Sequence, residues 1–173
     1  MGAIGVIGAG SWGTTLADLL AKKGHETTLW AYEAELVKEM EETRVNSVFL
    51  PGITLSPRLR FTNSLHDAAS GKELVLFVAP TQVFRGVLKG VSPYLGEETL
   101  LVNAAKGVEL DTLMTISQIG AELLPPRLFA NFCVLSGPSF AREVAQEMPT
   151  AVVAASPDEG VARRVQEAFS TPY

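Results

Sequence analysis

Short apolar runs without polar interruption alternate with stretches of helical periodicity along nearly the whole chain. Residues 3–7 (Ala-Ile-Gly-Val-Ile) form the first run, bounded by glycine, and Leu74-Val75-Leu76-Phe77-Val78 is the clearest one, ended by Pro80. Further strands are predicted over 27–30, 60–62, 99–102, 132–135 and 151–154. Between them the spacing of apolar residues predicts helices over 14–23, 33–43, 65–69, 81–88, 112–124, 140–146 and 158–169, the first stopped by Gly24. The stretch 44–60, which holds Pro51, Gly52 and Pro57, is predicted as an ordered loop. Runs that are apolar throughout, rather than at alternate positions, belong to strands covered on both faces. In the order βαβα with short connections they predict an α/β fold, a doubly wound and mostly parallel Rossmann-like sheet with helices on both faces.

Composition narrows this without redirecting it. With 173 residues, 47% of them hydrophobic, the chain can build one domain, and disorder is excluded. The net charge of −5 comes without a basic stripe, so nucleic acid is not an expected partner. The single cysteine, Cys133, permits no internal disulfide and offers no zinc constellation; no metal site is expected, and a reducing, cytoplasmic setting fits. The apolar runs are strand-sized, so no membrane span is expected either. Residues 169–173 follow a helical pattern directly, with no obvious closing element.

The chemistry begins at Gly8-Ala9-Gly10-Ser11-Trp12-Gly13, which matches G-x-G-x-x-G. The pattern alone is weak, but here it follows a buried strand, opens a helix and lies in a βαβ unit closed by 27–30. Gly8 would allow the tight turn, Gly10 the close approach of a pyrophosphate, and Gly13 the packing of helix on strand. Phosphates would sit on free N–H groups at the helix start, where the dipole favours negative charge. Trp12 either walls a ligand cleft or fills space between domains. Cofactor choice falls at the end of the second strand, about 20 residues on. There Glu33 can accept from a ribose 2′-hydroxyl and Tyr32 can lie against adenine, while the nearest base in sequence is Lys38. NAD is therefore preferred over NADP, although Glu33 also suits a helix first turn on dipole grounds alone.

Ligands of an open parallel sheet bind outside the carboxyl ends of its strands. Three such ends carry unusual residues. Val78-Ala79-Pro80-Thr81-Gln82 either lines a cofactor channel or simply starts a helix. Val102-Asn103-Ala104-Ala105-Lys106-Gly107 places a lysine among small residues, where a charge-assisted contact to phosphate or carbonyl is worth roughly 1.5–3 kcal/mol. Leu135-Ser136-Gly137-Pro138-Ser139-Phe140-Ala141 is a hydroxyl-rich loop before a helix, with Ser139 expected as its N-cap. His25 and His66 have no obvious serine partner, which argues against a Ser-His-Asp hydrolase, and Cys133 suits a core position.

Together these segments resemble the NAD(P)-dependent glycerol-3-phosphate dehydrogenases of the bacterial type. The carriers are the glycine fingerprint, Arg44-Val45-Asn46-Ser47-Val48-Phe49-Leu50-Pro51-Gly52, Ala104-Ala105-Lys106-Gly107-Val108-Glu109 and Leu135 to Ala141. The resemblance implies hydride transfer between dihydroxyacetone phosphate and sn-glycerol 3-phosphate, feeding phospholipid synthesis. It implies cofactor contacts from Ser11, Trp12, Tyr32, Phe49, Lys106 and Ala141, and substrate contacts from Lys106, Gly137 and Ser139. The family's Val-Pro-Ser strand end stands here as Ala79-Pro80-Thr81, which keeps the hydroxyl; a basic residue often found near Tyr32 or Glu33 is missing. On this resemblance residues 1–173 are an NAD-binding Rossmann-like domain. A C-terminal helical domain carrying the main acid/base lysine would be absent from this chain, which would bind cofactor without turnover. A homo-oligomer is open for the full-length protein. Two other readings stay open, a non-catalytic NAD-binding module and a Rossmann dehydrogenase for another hydroxy substrate.

Overall fold

The structure, a computed structural model, describes residues 2–173. These residues form one seven-stranded sheet in the order β3-β2-β1-β4-β5-β6-β7. The strands are β1 (Ala3–Ile7), β2 (Glu26–Trp30), β3 (Arg60–Thr62), β4 (Leu74–Phe77), β5 (Leu100–Asn103), β6 (Phe132–Ser136) and β7 (Val153–Ala155). Helices α1 (Ser11–Lys22), α2 (Ala34–Thr43), α3 (Leu65–Ala69), α4 (Thr81–Val91), α5 (Ile116–Leu123), α6 (Pro126–Phe129), α7 (Ala141–Ala145) and α8 (Glu159–Phe169) connect them. Pairing is parallel from β3 through β6, in a register that sets Ile7 beside both Trp30 and Phe77.

Why the central strands are almost entirely apolar follows from the two cores. Ile4 and Val6, Leu74 and Leu76, and Leu100 and Val102 face one side, packed with Leu16 and Leu20 of α1 and Val161 and Val165 of α8. Their neighbours Ile7, Val75, Phe77 and Leu101 face the other, packed with Ala68 of α3, Phe84 and Leu88 of α4, and Ile119 of α5. Each strand alternates its side chains between faces, so the central strands, covered on both sides, need an apolar residue at nearly every position, while β2 and β3 toward the edge also hold Glu26, Thr27, Thr28, Arg60 and Thr62. The doubly wound expectation holds.

Four expectations shift. Helix α1 begins at Ser11 rather than 14, because Gly10 is extended (φ −65°, ψ 177°) and serves as its N-cap, so the end of the fingerprint is already helical. Helix α5 begins at Ile116 rather than 112: Thr115 and Gln118 form a reciprocal capping box, and 109–114 close into a loop through Leu113 N to Glu109 O and Glu109 N to Met114 O. The single turn α6 lies where no helix is predicted. Strand β7 runs antiparallel to β6, pairing Leu135 with Ala154, and starts at Val153 rather than 151. No helix among the described residues is long and apolar enough to cross a membrane.

Candidate functional site

The strand order reverses between β1 and β4, and the loops leaving these two neighbouring strands diverge there. A cleft of about 390 Å³ opens at this point, lined by Ser11 and Trp12 after β1, Ala79 and Pro80 after β4, Ala105 and Lys106 after β5, and Ser139 to Ala141 after β6. Four separate strand ends thus meet at the carboxyl edge of the sheet, the position at which such folds bind ligands. A wider cavity of about 750 Å³ lies among Gly24, Glu26, Arg58 and Arg60, at the amino ends of β2 and β3. It touches none of the residues singled out as candidates by their chemistry.

The three fingerprint glycines stand in three different surroundings. Gly8 has φ +119°, and a Cβ there would meet the backbone of Val78 and Ala79 at 3.0 Å. At Gly13 a Cβ would stand 1.9 Å from the Gly8 carbonyl oxygen, which no side chain can satisfy. At Gly10 nothing lies within 4 Å, so the space above the turn is open. The first helical bond runs from Thr14 N to Gly10 O at 2.9 Å, and no side chain caps α1. Amides that precede that bond lack intrahelical acceptors. An open space over uncapped amides, with no acidic residue in the first turn, fits an anionic group such as a pyrophosphate.

Lys106 projects from the turn after β5. Asn103 closes this turn, its Nδ2 donating to Ala105 O (2.9 Å) and its Oδ1 accepting from Ala105 N (3.1 Å). Gly107, at φ +133°, follows, and Thr81 Oγ1 donates to Lys106 O at 2.9 Å. Lys106 Nζ donates to Gly137 O at 3.0 Å, so the lysine spans the cleft floor from β5 to the loop after β6. The Thr81 hydroxyl at the end of β4 therefore acts on the lysine's own backbone.

Behind Lys106, α4 grips the loop 108–115. Gln82 Nε2 donates to Val108 O (2.9 Å) and its Oε1 accepts from Leu110 N (3.1 Å). Arg85 clasps Glu109 through Nε to Oε1 and Nη2 to Oε2, both 2.9 Å, and reaches Glu122 at 2.7 Å. The guanidinium and the Thr112 hydroxyl hold the Glu109 carboxyl below its ordinary pKa of 4.5, while Glu109 and Glu122 raise that of Arg85.

The loop after β6 departs from expectation. Ser139 is not the N-cap of α7; Phe140 occupies that position, extended at φ −112°, with no side-chain cap. Ser139 N instead donates to Gly137 O at 3.0 Å, tightening the turn. The helix is shifted by one residue and the Phe140 ring is left 68% exposed. Thr15 Oγ1 of α1 donates to Ala141 O at 3.2 Å, tying this loop to the fingerprint helix.

Ser11, Trp12, Pro80, Lys106, Ser139 and Ala141 meet in the cleft, with Gly137 joined to it through Lys106. Tyr32, Glu33 and Phe49 do not line it. Tyr32, 81% exposed, stands edge-on to Trp30 with centroids 6.3 Å apart. Glu33 is the exposed N-cap residue of α2, without a side-chain cap bond. Phe49 is half-exposed beyond the fingerprint. Cys133 is fully buried, and burial pushes its thiol up to about 11, which suits a core residue.

A further residue of the site is visible in the sequence only as part of its motif. Asn46, in the loop after α2, is fully buried and donates from Nδ2 to Ala9 O and to Thr14 Oγ1, both at 2.9 Å. The signal available was a lone amide in a mostly apolar stretch, Val45-Asn46-Ser47-Val48-Phe49.

Residues 3–162 match the family described as NAD-dependent glycerol-3-phosphate dehydrogenase N-terminus. The chain is 66% identical over 169 residues to an NAD(P)+ glycerol-3-phosphate dehydrogenase of Geobacter sulfurreducens, covering 98% of this chain and 50% of that protein. A Geobacter metallireducens protein of the same name is 64% identical over 170 residues, with 98% and 51% covered. Among solved structures, a glycerol-3-phosphate dehydrogenase from Coxiella burnetii superimposes with a TM-score of 0.87 at 32% identity, over 98% of this chain and 51% of that one. The chain spans about half the length of the curated relatives it matches.

Proposed function

The chain belongs to the NAD-dependent glycerol-3-phosphate dehydrogenase N-terminus family, and from that premise we propose that it is the cofactor-holding part of an oxidoreductase interconverting dihydroxyacetone phosphate and sn-glycerol 3-phosphate. The observation that carries the reading is the cleft itself, where an open, uncapped glycine turn faces Lys106 across the switch point. The N–H groups of Gly10, Ser11 and Trp12 would bind the pyrophosphate of NAD(P)H, with Tyr32, Glu33 and Phe49 toward the adenosine end and Pro80 and Ala141 toward the nicotinamide end. When bound, the dinucleotide supplies the hydride.

Carbonyl reduction also needs a fixed acceptor geometry and positive charge near the developing alkoxide. Lys106 supplies that charge and orients the substrate, since its backbone is clamped by Thr81 and its ammonium already reaches a carbonyl at the floor. Gly137 and Ser139 offer substrate contacts from the facing loop. The proton that completes the reduction would come from a lysine in the half of the relatives' length that this chain does not span, and the reaction would serve glycerophospholipid supply. NAD is preferred because Glu33 would repel a 2′-phosphate and Tyr32-Glu33 brings no base to neutralise it.

Calorimetric titration of the chain with NADH and with NADPH tests this reading. Saturable NADH binding, tighter than that of NADPH, is expected. Tighter NADPH binding overturns the choice of dinucleotide, and no binding of either overturns the reading.

A further inference from the structure

The chain must keep a peptide carbonyl out of an anion site it builds from neighbouring N–H groups. Ala9 O is the carbonyl at issue, since Ala9 stands between the first two glycines of the fingerprint. It accepts two hydrogen bonds from behind, Asn46 Nδ2 at 2.9 Å and Thr14 Oγ1 at 3.1 Å. Asn46 Nδ2 also donates to Thr14 Oγ1 at 2.9 Å, so the three groups close a triangle. All are buried: Asn46 and Thr14 are fully enclosed and Ala9 nearly so. The peptide bonds are trans, and in a trans peptide the N–H points opposite to the C=O. Fixing Ala9 O inward therefore turns the Gly10 N–H away from the buried triangle, and the Cβ position of Gly10 is likewise open, with nothing within 4 Å.

The other end of the Asn46 amide extends the effect. Its Oδ1 accepts from Phe49 N at 2.9 Å, and Leu50 N donates to Asn46 O at 2.9 Å, closing the loop on itself. One buried side chain thus links the phosphate-facing turn to the loop that presents Phe49. Such a fully satisfied network holds one geometry, whereas removing a member leaves buried polar groups unpaired.

We propose that Asn46, with Thr14, is the positioning residue that presets the glycine turn for a dinucleotide pyrophosphate by holding the Ala9–Gly10 peptide with its N–H toward the cleft. It touches neither cofactor nor substrate. The inference rests on the functional reading above and deepens it.

The test compares NADH with adenosine, which lacks the phosphates, on the unaltered chain, Asn46→Ala and Thr14→Val, with folding checked by circular dichroism at the assay temperature. Thr14→Val keeps the shape and the Asn46–Phe49 bond but removes the hydroxyl. Both variants are expected to lose at least tenfold in NADH affinity while the loss for adenosine stays severalfold smaller. If Asn46→Ala does not fold, Thr14→Val carries the same expectation. Equal losses for both ligands, or unchanged NADH affinity in a folded variant, overturn the inference. If the unaltered chain itself fails to bind NADH, the functional reading falls, and this inference with it.

Discussion

On the β1 side of the cleft, the Ala9 carbonyl is tied by Asn46 and Thr14, and Gly13 lies against the Gly8 carbonyl with no room for a methyl group. On the β6 side, Gly137 lies against the Ala151 carbonyl, and the loop to Phe140 is held by one internal bond, by Lys106 and, at Ala141, by Thr15, while the Phe140 ring is exposed. The first region is bound into the core that α1 shares with the sheet; the second rests on a five-residue helix. The buried polar network is thus confined to the side where a cofactor's charge would be received. The facing wall is built to accept further contacts.

The sharpest way to break this contrast is to crowd the rigid side. Gly13→Val forces a Cβ against the Gly8 oxygen, and overpacking of this kind costs about 3 kcal/mol. A large fall in the thermal midpoint and loss of NADH binding are expected, whereas near-normal stability would show that the turn yields. Next in size is Lys106→Ala. Loss of a charge-assisted bond worth about 1.5–3 kcal/mol predicts a ten- to hundredfold weaker affinity for glycerol 3-phosphate at saturating NAD+. Unchanged affinity in that titration would remove Lys106 from the substrate site.

A smaller effect is expected behind the lysine. Arg85 and Thr112 hold the Glu109 carboxyl below 4.5. A group with a lowered folded-state pKa contributes fully above its unfolded value and loses that contribution as pH falls through the folded one. Acid unfolding of the unaltered chain should therefore include a loss below about pH 4.5 that is missing from Glu109→Gln, and Glu109→Gln should melt a few degrees lower at neutral pH. Parallel acid profiles would contradict this. Smallest of all is Arg163→Ala, since the Arg163–Glu159 pair on α8 is exposed on both sides and such helix pairs contribute about 0.5 kcal/mol or less. A larger shift in melting would mean that α8 bears on the cleft.

Strands β1, β4, β5 and β6 were legible because double-faced burial writes itself as nearly continuous apolar sequence, while β2 and β3, toward the edge, carry only short apolar pieces beside Thr27, Thr28, Arg60 and Thr62; the fingerprint was legible because Gly8 and Gly13 answer two separate steric demands. The antiparallel direction of β7 was not, since Val153-Ala154-Ala155 pairs through backbone groups that carry no directional signal in sequence. Helix α6 escaped because Pro-Arg-Leu-Phe is one turn, too short to show periodicity. The start of α5 was available in Thr115 and Gln118, whose spacing is a capping box. Ser139 failed as a cap because the tight turn onto Gly137 O moves the helix start one residue on. Asn46 stayed hidden because its partners, Ala9 O and Thr14, lie more than 30 residues away in sequence and meet it only through the fold.

The central claim is that the dinucleotide lies across the carboxyl edge of the sheet on the glycine turn. NADH titrated into the 15N-labelled chain, followed by amide NMR shifts, tests it most directly. The largest shifts are expected at Gly10, Ser11 and Trp12, with smaller ones at Lys106 and Ala141. Shifts confined to Gly24, Arg58 and Phe61, around the cavity at the opposite edge, would contradict it.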